Sequence, residues 1–236
     1  MREGGKILGE VFEKIESIIK PGVSTYELDI FAEKIIRAHK DALPGFKGYR
    51  GFPATLCTSV NEEVVHGIPK KDRILKDGDI IGVDCGVLYG GFYTDACITY
   101  AVGSITPQVI RFLNVTKQAL DKSIEEVKPG NRIGDISAVI QETLESNGYA
   151  PVVECTGHGV GRALHEPPDI LNVGYKNSGP MMKPGMMLAI EPISVMGSGK
   201  VTTSDDGWTI ISADRKLSAH FEHTVLVTEK GYEIIV

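Results

Sequence analysis

The tripeptide Lys20-Pro21-Gly22 recurs as Lys128-Pro129-Gly130, 108 residues later, and the residues after each copy recur with it. Leu28, Phe31, Ala32 and Ile36 align at that offset with Ile136, Val139, Ile140 and Leu144. Each set has the i, i+3, i+4, i+8 spacing of one buried helix face. Further on, Lys76-Asp77-Gly78 followed by Asp84 matches Lys183-Pro184-Gly185 followed by Glu191, now at an offset of 107. A helix stripe, a turn and an acid recurring in order predict two α/β halves related by a pseudo-twofold axis. Residues 1–236 then form a single domain, with internal halves of roughly 1–105 and 106–236.

Composition narrows what such a domain does. A chain of 236 residues, 42% of them hydrophobic, can bury a substantial core without a second module. A formal net charge of −6 and the lack of any long Lys/Arg run give no footprint for nucleic acid. Ile7, Leu8, Val11, Phe12, Ile15, Ile18 and Ile19 mark one face of a helix within Met1–Lys20, unlike the unbroken apolar core of a signal peptide. No apolar run approaches the roughly 18 residues of a membrane span. Cys57, Cys85, Cys97 and Cys155 show no C-x-x-C spacing, so free thiols in a cytoplasmic protein are expected, with neither a zinc knuckle nor a redox pair.

Against this background, acids stand where apolar strands should be. Asp84 closes the run Ile80-Ile81-Gly82-Val83, Glu191 follows Met186-Met187-Leu188-Ala189-Ile190, and Glu222 precedes Thr224-Val225-Leu226-Val227. A carboxylate is costly to desolvate in such a place. Any one of them could cap a turn or pair with an Arg. A hairpin turning at Leu88-Tyr89-Gly90-Gly91 returns Asp95 toward Asp84, and His158 adds an imidazole among glycines. Carboxylates gathered without cations repel and take up protons, whereas a pair of divalent ions cancels their charge. The longer stretch from Glu191 to Glu222, with Gly197-Ser198-Gly199 and Asp205-Asp206-Gly207, reads as longer turns or an extra ribbon. Ser24 and Glu27 predict a capping box, and Thr106-Pro107 opens a linking helix running to Val127. Gly157, Gly159 and Gly161 lack dinucleotide-loop spacing, and Cys57 and Cys85 sit in no nucleophile signature.

The motifs Asn61-Glu62-Glu63-Val64-Val65-His66-Gly67-Ile68-Pro69, Asp84 with Asp95, Thr156-Gly157-His158-Gly159-Val160-Gly161, His165-Glu166-Pro167-Pro168, Ile190-Glu191-Pro192 and Glu222-His223-Thr224 occur in one order along the chain. In that order and spacing the sequence resembles the type I methionine aminopeptidases over almost its whole length. The short connection from His165 to Glu191 is similar to type I, because type II relatives carry a helical insertion there.

The resemblance implies a pita-bread α/β (α+β) fold, with a curved antiparallel sheet and helices outside. It implies two divalent ions, bridged by Asp95 and Glu222, with Asp84 on one and His158 plus Glu191 on the other. Cobalt, manganese, iron or zinc would all suit that donor set. A water held between the ions would supply the attacking hydroxide. Glu191 doubles as general base, and His66 and His165 are catalytic and substrate-binding without holding metal: one lies near the scissile amide and the other at the developing oxyanion. Tyr49, Phe52, Cys57, Leu164 and Trp208 are the implied methionine pocket. Leu164 stands where many relatives carry an aromatic residue, and His220 where Gln is frequent. Strand alternation places His220 on the face of Glu222 and turns His223 away.

The expected activity is removal of the N-terminal methionine from peptides and nascent chains with a small second residue, by a cytoplasmic monomer in transient contact with the ribosome. An X-Pro aminopeptidase or prolidase of the same fold is the rival, though such enzymes normally carry an N-terminal domain. A non-catalytic binding relative would have lost ligands. By the same comparison, Met1 falls part-way into the family's first helix.

Overall fold

The computed structural model of the chain describes residues 1–236. The first half runs α1 (Arg2–Glu16), α2 (Thr25–Ala38), β1 (Ala42–Pro44), β2 (Leu56–Val60), β3 (Glu63–Val65), β4 (Ile80–Tyr89) and β5 (Phe92–Ala101), with one 3-10 turn at Tyr49–Gly51. The second half opens with α3 (Pro107–Ile124), α4 (Ile133–Ser146), β6 (Ala150–Pro151), β7 (Thr156–Gly159) and β8 (Glu166–Leu171). It continues with β9 (Met187–Ile190), β10 (Ile193–Val195), β11 (Val201–Thr203), β12 (Ile210–Ser212), β13 (Ser218–His220), β14 (His223–Val227) and β15 (Tyr232–Ile234).

The repeat is written in the backbone hydrogen bonds. Gly22 N–H donates to Leu75 O at 2.8 Å, and Gly130 N–H to Met182 O at 3.3 Å. Leu75 N–H donates to Val23 O and Met182 N–H to Asn131 O, both at 2.8 Å. Gly22 and Gly130 share a φ of 94°, as Gly78 and Gly185 share 91°, a left-handed turn that only glycine adopts without a steric penalty. Each following helix is capped alike: the Glu27 carboxylate accepts from Ser24 N–H at 2.8 Å, and the Asp135 carboxylate from Arg132 N–H at 2.7 Å. The aligned residues Leu28 and Ile136, Ala32 and Ile140, and Ile36 and Leu144 are all buried. Burying one such aliphatic side chain stabilises the fold by about 1.5–3 kcal/mol.

Helix ends differ a little from expectation. α1 stops at Glu16, so Ile18 and Ile19 lie in the following turn and pack against the core from there. α3 is capped by the Thr106 hydroxyl and ends at Ile124 rather than Val127. The β4–β5 turn is only Gly90-Gly91, both at positive φ, because Leu88 and Tyr89 are still in strand register with Tyr93 and Phe92. Asp84 is a further correction: it lies in the middle of β4, not at a strand end, because the apolar alternation resumes with Cys85 and Val87 on the helix-covered face.

The strands form two principal antiparallel sheets. β4 pairs with β5 along one edge and with β2 and β1 along the other, and the second sheet has the order β15-β14-β9-β7-β8. They join where Glu222 N–H donates to Cys97 O at 2.9 Å and Cys97 N–H to Glu222 O at 3.4 Å. The predicted ribbon is β11–β12, and β12 also pairs with β3, bridging the halves. α1 and α2 cover the first sheet through one apolar core, while α3 and α4 cover the second through another. The result is a mixed α/β fold with helices outside and an inner face on which side chains from both halves meet.

Candidate metal and peptide site

Strand register brings the acids together. Asp84 faces Cys97 and Gly86 faces Asp95, so the two aspartates are diagonal neighbours on one face of the hairpin. Asp95 is fixed to the second half: its N–H donates to Thr224 Oγ1 at 2.9 Å, and that hydroxyl donates to Asp95 O at 2.7 Å. The β9–β14 ladder ends at Ile190 opposite His223, which sets Glu191 opposite Glu222 one step further. His158 pairs with Ala189, two residues before Glu191, and therefore shares its face.

His158 Nδ1–H donates to Gly159 O at 2.9 Å, leaving the Nε2 lone pair free toward the acids. Nε2 lies 3.9 Å from Asp95 Oδ2 and 3.7 Å from Glu191 Oε1. Donor atoms of Asp95, His158 and Glu222 all lie within 4.8 Å of one another, and all three residues are buried.

The electrostatics of this cluster call for a cation. Burial raises Asp84 to about 7, with Glu191 nearby adding to the rise against an opposing pull from His220. Burial and mutual repulsion carry Asp95 and Glu222 well above the usual carboxylate range. Asp84 Oδ1, Asp95 Oδ1 and Glu222 Oε1 are buried without a hydrogen-bond partner. Leaving such a group unsatisfied costs about 1–3 kcal/mol, and more when it is charged. Carboxylate oxygens with an imidazole nitrogen are a suitable donor set for divalent metals, so the residues present fit the ions expected of them.

These side chains line a cavity of about 460 Å³ together with the other residues the resemblance assigned to the site, His66, His165, Tyr49, Phe52, Cys57, Leu164 and Trp208. The last five share an apolar cluster with Phe46, and the Phe52 and Trp208 rings meet edge to face at 5.2 Å. Cys57 faces Asp84 across the β2–β4 ladder, while Cys85 points into the helix-covered core. All four cysteines are free.

His66 sits at φ 59°, a left-handed conformation uncommon outside glycine, and burial lowers its pKa. The His165 ring lies 4.2 Å from that of His158, its Nδ1 is 3.0 Å from the Tyr49 hydroxyl, and burial lowers its pKa to about 4. His220 reaches the cavity with Nε2 3.2 Å from Glu191 Oε2 and 3.9 Å from Glu222 Oε2. Burial alone would push it down, but the Glu191 carboxylate close by, with the charge of Asp84, leaves it raised. His223 does turn away, donating Nδ1–H to Val236 O at 2.9 Å.

Sequence reasoning missed part of the wall: Phe46, Arg50, Val65, Glu154, Cys155, Thr156, Val201 and Ile210 also line the cavity. Phe46 had a faint signal in Gly86, where a Cβ would lie 2.6 Å from its ring. The ribbon residues had none, because their placement depends on β12 crossing to β3.

Comparison with known proteins agrees with this geometry. The methionine aminopeptidase 1 of Bacillus subtilis is 48% identical over 235 residues, covering 100% of this chain and 94% of that protein. The crystal structure of methionine aminopeptidase from Thermotoga maritima superposes with a TM-score of 0.98 at 42% identity, covering 100% of this chain and 94% of that one. The prolidase of Pyrococcus horikoshii shares the fold at a TM-score of 0.80 and 20% identity, with only 60% of its chain covered. The profile of metallopeptidase family M24 matches residues 1–229. With its buried acids and imidazole joined across two repeated halves, the chain belongs to metallopeptidase family M24.

Proposed function

We infer that the chain is a metal-dependent methionine aminopeptidase, cutting the first peptide bond of chains that begin with methionine. The observation that carries this is one cavity in which unpartnered buried carboxylates adjoin an aromatic-lined apolar pocket. The carboxylate side would hold a reacting peptide bond while the pocket takes one unbranched side chain, whose thioether packs favourably on aromatic rings. Leu164 leaves that pocket a wall without the ring many relatives carry there.

Asp84, Asp95, His158, Glu191 and Glu222 would together hold two divalent ions. Cobalt, manganese, iron and zinc are all compatible with these donors. Bound ions would act as Lewis acids on the peptide carbonyl and would acidify a water for attack. Glu191 moves a proton toward the leaving amine. His165 is uncharged at neutral pH. Its Nδ1 lies within hydrogen-bond distance of the Tyr49 hydroxyl, and the tautomer in which that hydroxyl donates leaves Nε2–H to donate to the carbonyl oxygen as negative charge develops there. His66, held on a left-handed backbone and lining the cavity, would lie beside the scissile amide. The substrates are nascent chains and peptides with a small second residue, met by a cytoplasmic monomer in passing contact with the ribosome.

A panel of Met-Ala-Ser and Xaa-Pro peptides incubated with manganese- or cobalt-reconstituted protein tests this. Release of methionine from Met-Ala-Ser alone is expected. Cleavage of the Xaa-Pro peptides alone, or of neither, overturns it.

A further inference from the structure

His220 stands apart among the imidazoles of the cavity. Its Nε2 is fully buried and has no hydrogen-bond partner, a condition shared in this site only by oxygens of Asp84, Asp95 and Glu222. It is 3.2 Å from Glu191 Oε2, within donor distance but off the line of a hydrogen bond. The other oxygen of the same carboxylate, Oε1, lies 3.7 Å from His158 Nε2. Glu191 is thus flanked by one imidazole on each oxygen.

The two imidazoles cannot do the same work. His158 has spent its Nδ1–H on Gly159 O, so its Nε2 offers a lone pair. A lone pair on His220 Nε2 would face the oxygens of Glu191 and Glu222 and be repelled by both, so that nitrogen carries the hydrogen. The backbone of His220 is also unusually constrained. Its N–H donates to Thr99 Oγ1 at 2.9 Å, Thr99 Oγ1 donates to its carbonyl at 2.7 Å, and β13 pairs it with Ile193, two residues beyond Glu191. His220 is therefore fixed at the end of β13, and Glu191 stands two residues before the β10 residue paired with it.

We propose that His220 is a positioning residue: its Nε2–H holds Glu191 Oε2 and so turns Oε1 toward the side of His158, where metal is to be held. This rests on the aminopeptidase assignment for its catalytic consequence, but not for its effect on metal binding. A small rotation of the Glu191 carboxylate closes the hydrogen bond, since distance is already met and only the angle is wrong. An outer partner that orients a ligand in this way is commonly worth 10–100-fold in metal affinity or activity, by about that much when removed.

The test uses His220→Gln, whose amide N–H can reach the same oxygen, and His220→Leu, which keeps bulk without a donor. His220→Ala replaces the leucine variant if thermal unfolding shows that it does not fold. Cobalt(II) is titrated into each metal-free protein by calorimetry and by visible absorption, and kcat and KM are measured on Met-Ala-Ser. His220→Gln is expected to stay within about 3-fold of the parent. His220→Leu should lose about 10–100-fold in cobalt affinity and kcat, with KM little changed and the cobalt bands unmoved in energy. The proposal is overturned if the leucine variant matches the parent, or if the glutamine variant falls as far as leucine. It is equally overturned if the cobalt bands shift on leaving histidine, which would make His220 a ligand. If the parent itself releases no methionine, the aminopeptidase assignment fails, and the cobalt affinities still decide the role of His220.

Discussion

Asp84→Asn isolates the charge that the site is built around. The carboxyl of Asp84 is raised from 3.8 to about 7 in the folded, metal-free chain. A shift of that size corresponds to roughly 4 kcal/mol, a ceiling because neighbouring acids share the same protons. A folded-state pKa above the unfolded value means that the folded chain holds the proton more tightly. The penalty from Asp84 is therefore absent below about pH 4 and grows as pH rises through about 7. Asparagine is uncharged throughout and close in shape to the protonated acid. Urea unfolding in the presence of a chelator, from pH 4.5 to 8, should find the two proteins within about 1 kcal/mol of each other at the acid end. At pH 8 the variant should be more stable by about 2–4 kcal/mol. Measuring the difference between the two proteins cancels the opposing titration of buried histidines. Saturating manganese should reverse the order, because only the parent keeps the full donor set. If the metal-free variant is less stable than the parent by an amount independent of pH, the electrostatic reasoning is wrong.

Three further outcomes follow from the geometry. His165→Ala should keep its metal content but lose about 10²–10³-fold in kcat, the usual loss on removing one oxyanion donor, and undiminished turnover would refute the role. Gly86→Ala puts a Cβ 2.6 Å from the ring of Phe46, a cavity-lining residue that must shift; KM should rise while metal content holds, and an unchanged KM would count against the proposed methionine pocket. Leu28→Ala and Ile136→Ala empty equivalent places in the two halves, so each should cost about 2–5 kcal/mol in chemical denaturation. A loss confined to one of them would argue against equivalent cores.

The parts of the molecule legible in the sequence are those set by short-range rules. Helix stripes at Leu28 and Ile136, the capping pair Ser24 and Glu27, and glycine turns at Gly22 and Gly130 need only local periodicity and backbone sterics, and they recur because the half is repeated. The acids were legible for a different reason: an ionisable group inside a strand is conspicuous wherever the strand runs. The place of Asp84 within its strand was harder, since Ile80–Val83 is apolar on both faces, while beyond Asp84 only the face of Cys85 and Val87 stays buried in the helix-covered core. The ribbon wall at Val201 and Ile210 was not legible at all. Those residues carry no local mark of a site and line the cavity only through the long-range pairing of β12 with β3. His220 lies between: alternation placed it beside Glu222, but its approach to Glu191 requires the fold.

The most direct measurement is a crystal grown with excess manganese or cobalt, with anomalous scattering used to count ions. Two peaks are predicted among Asp84, Asp95, His158, Glu191 and Glu222, with Asp95 and Glu222 touching both. Side chains that splay apart with no anomalous density between them would contradict the account.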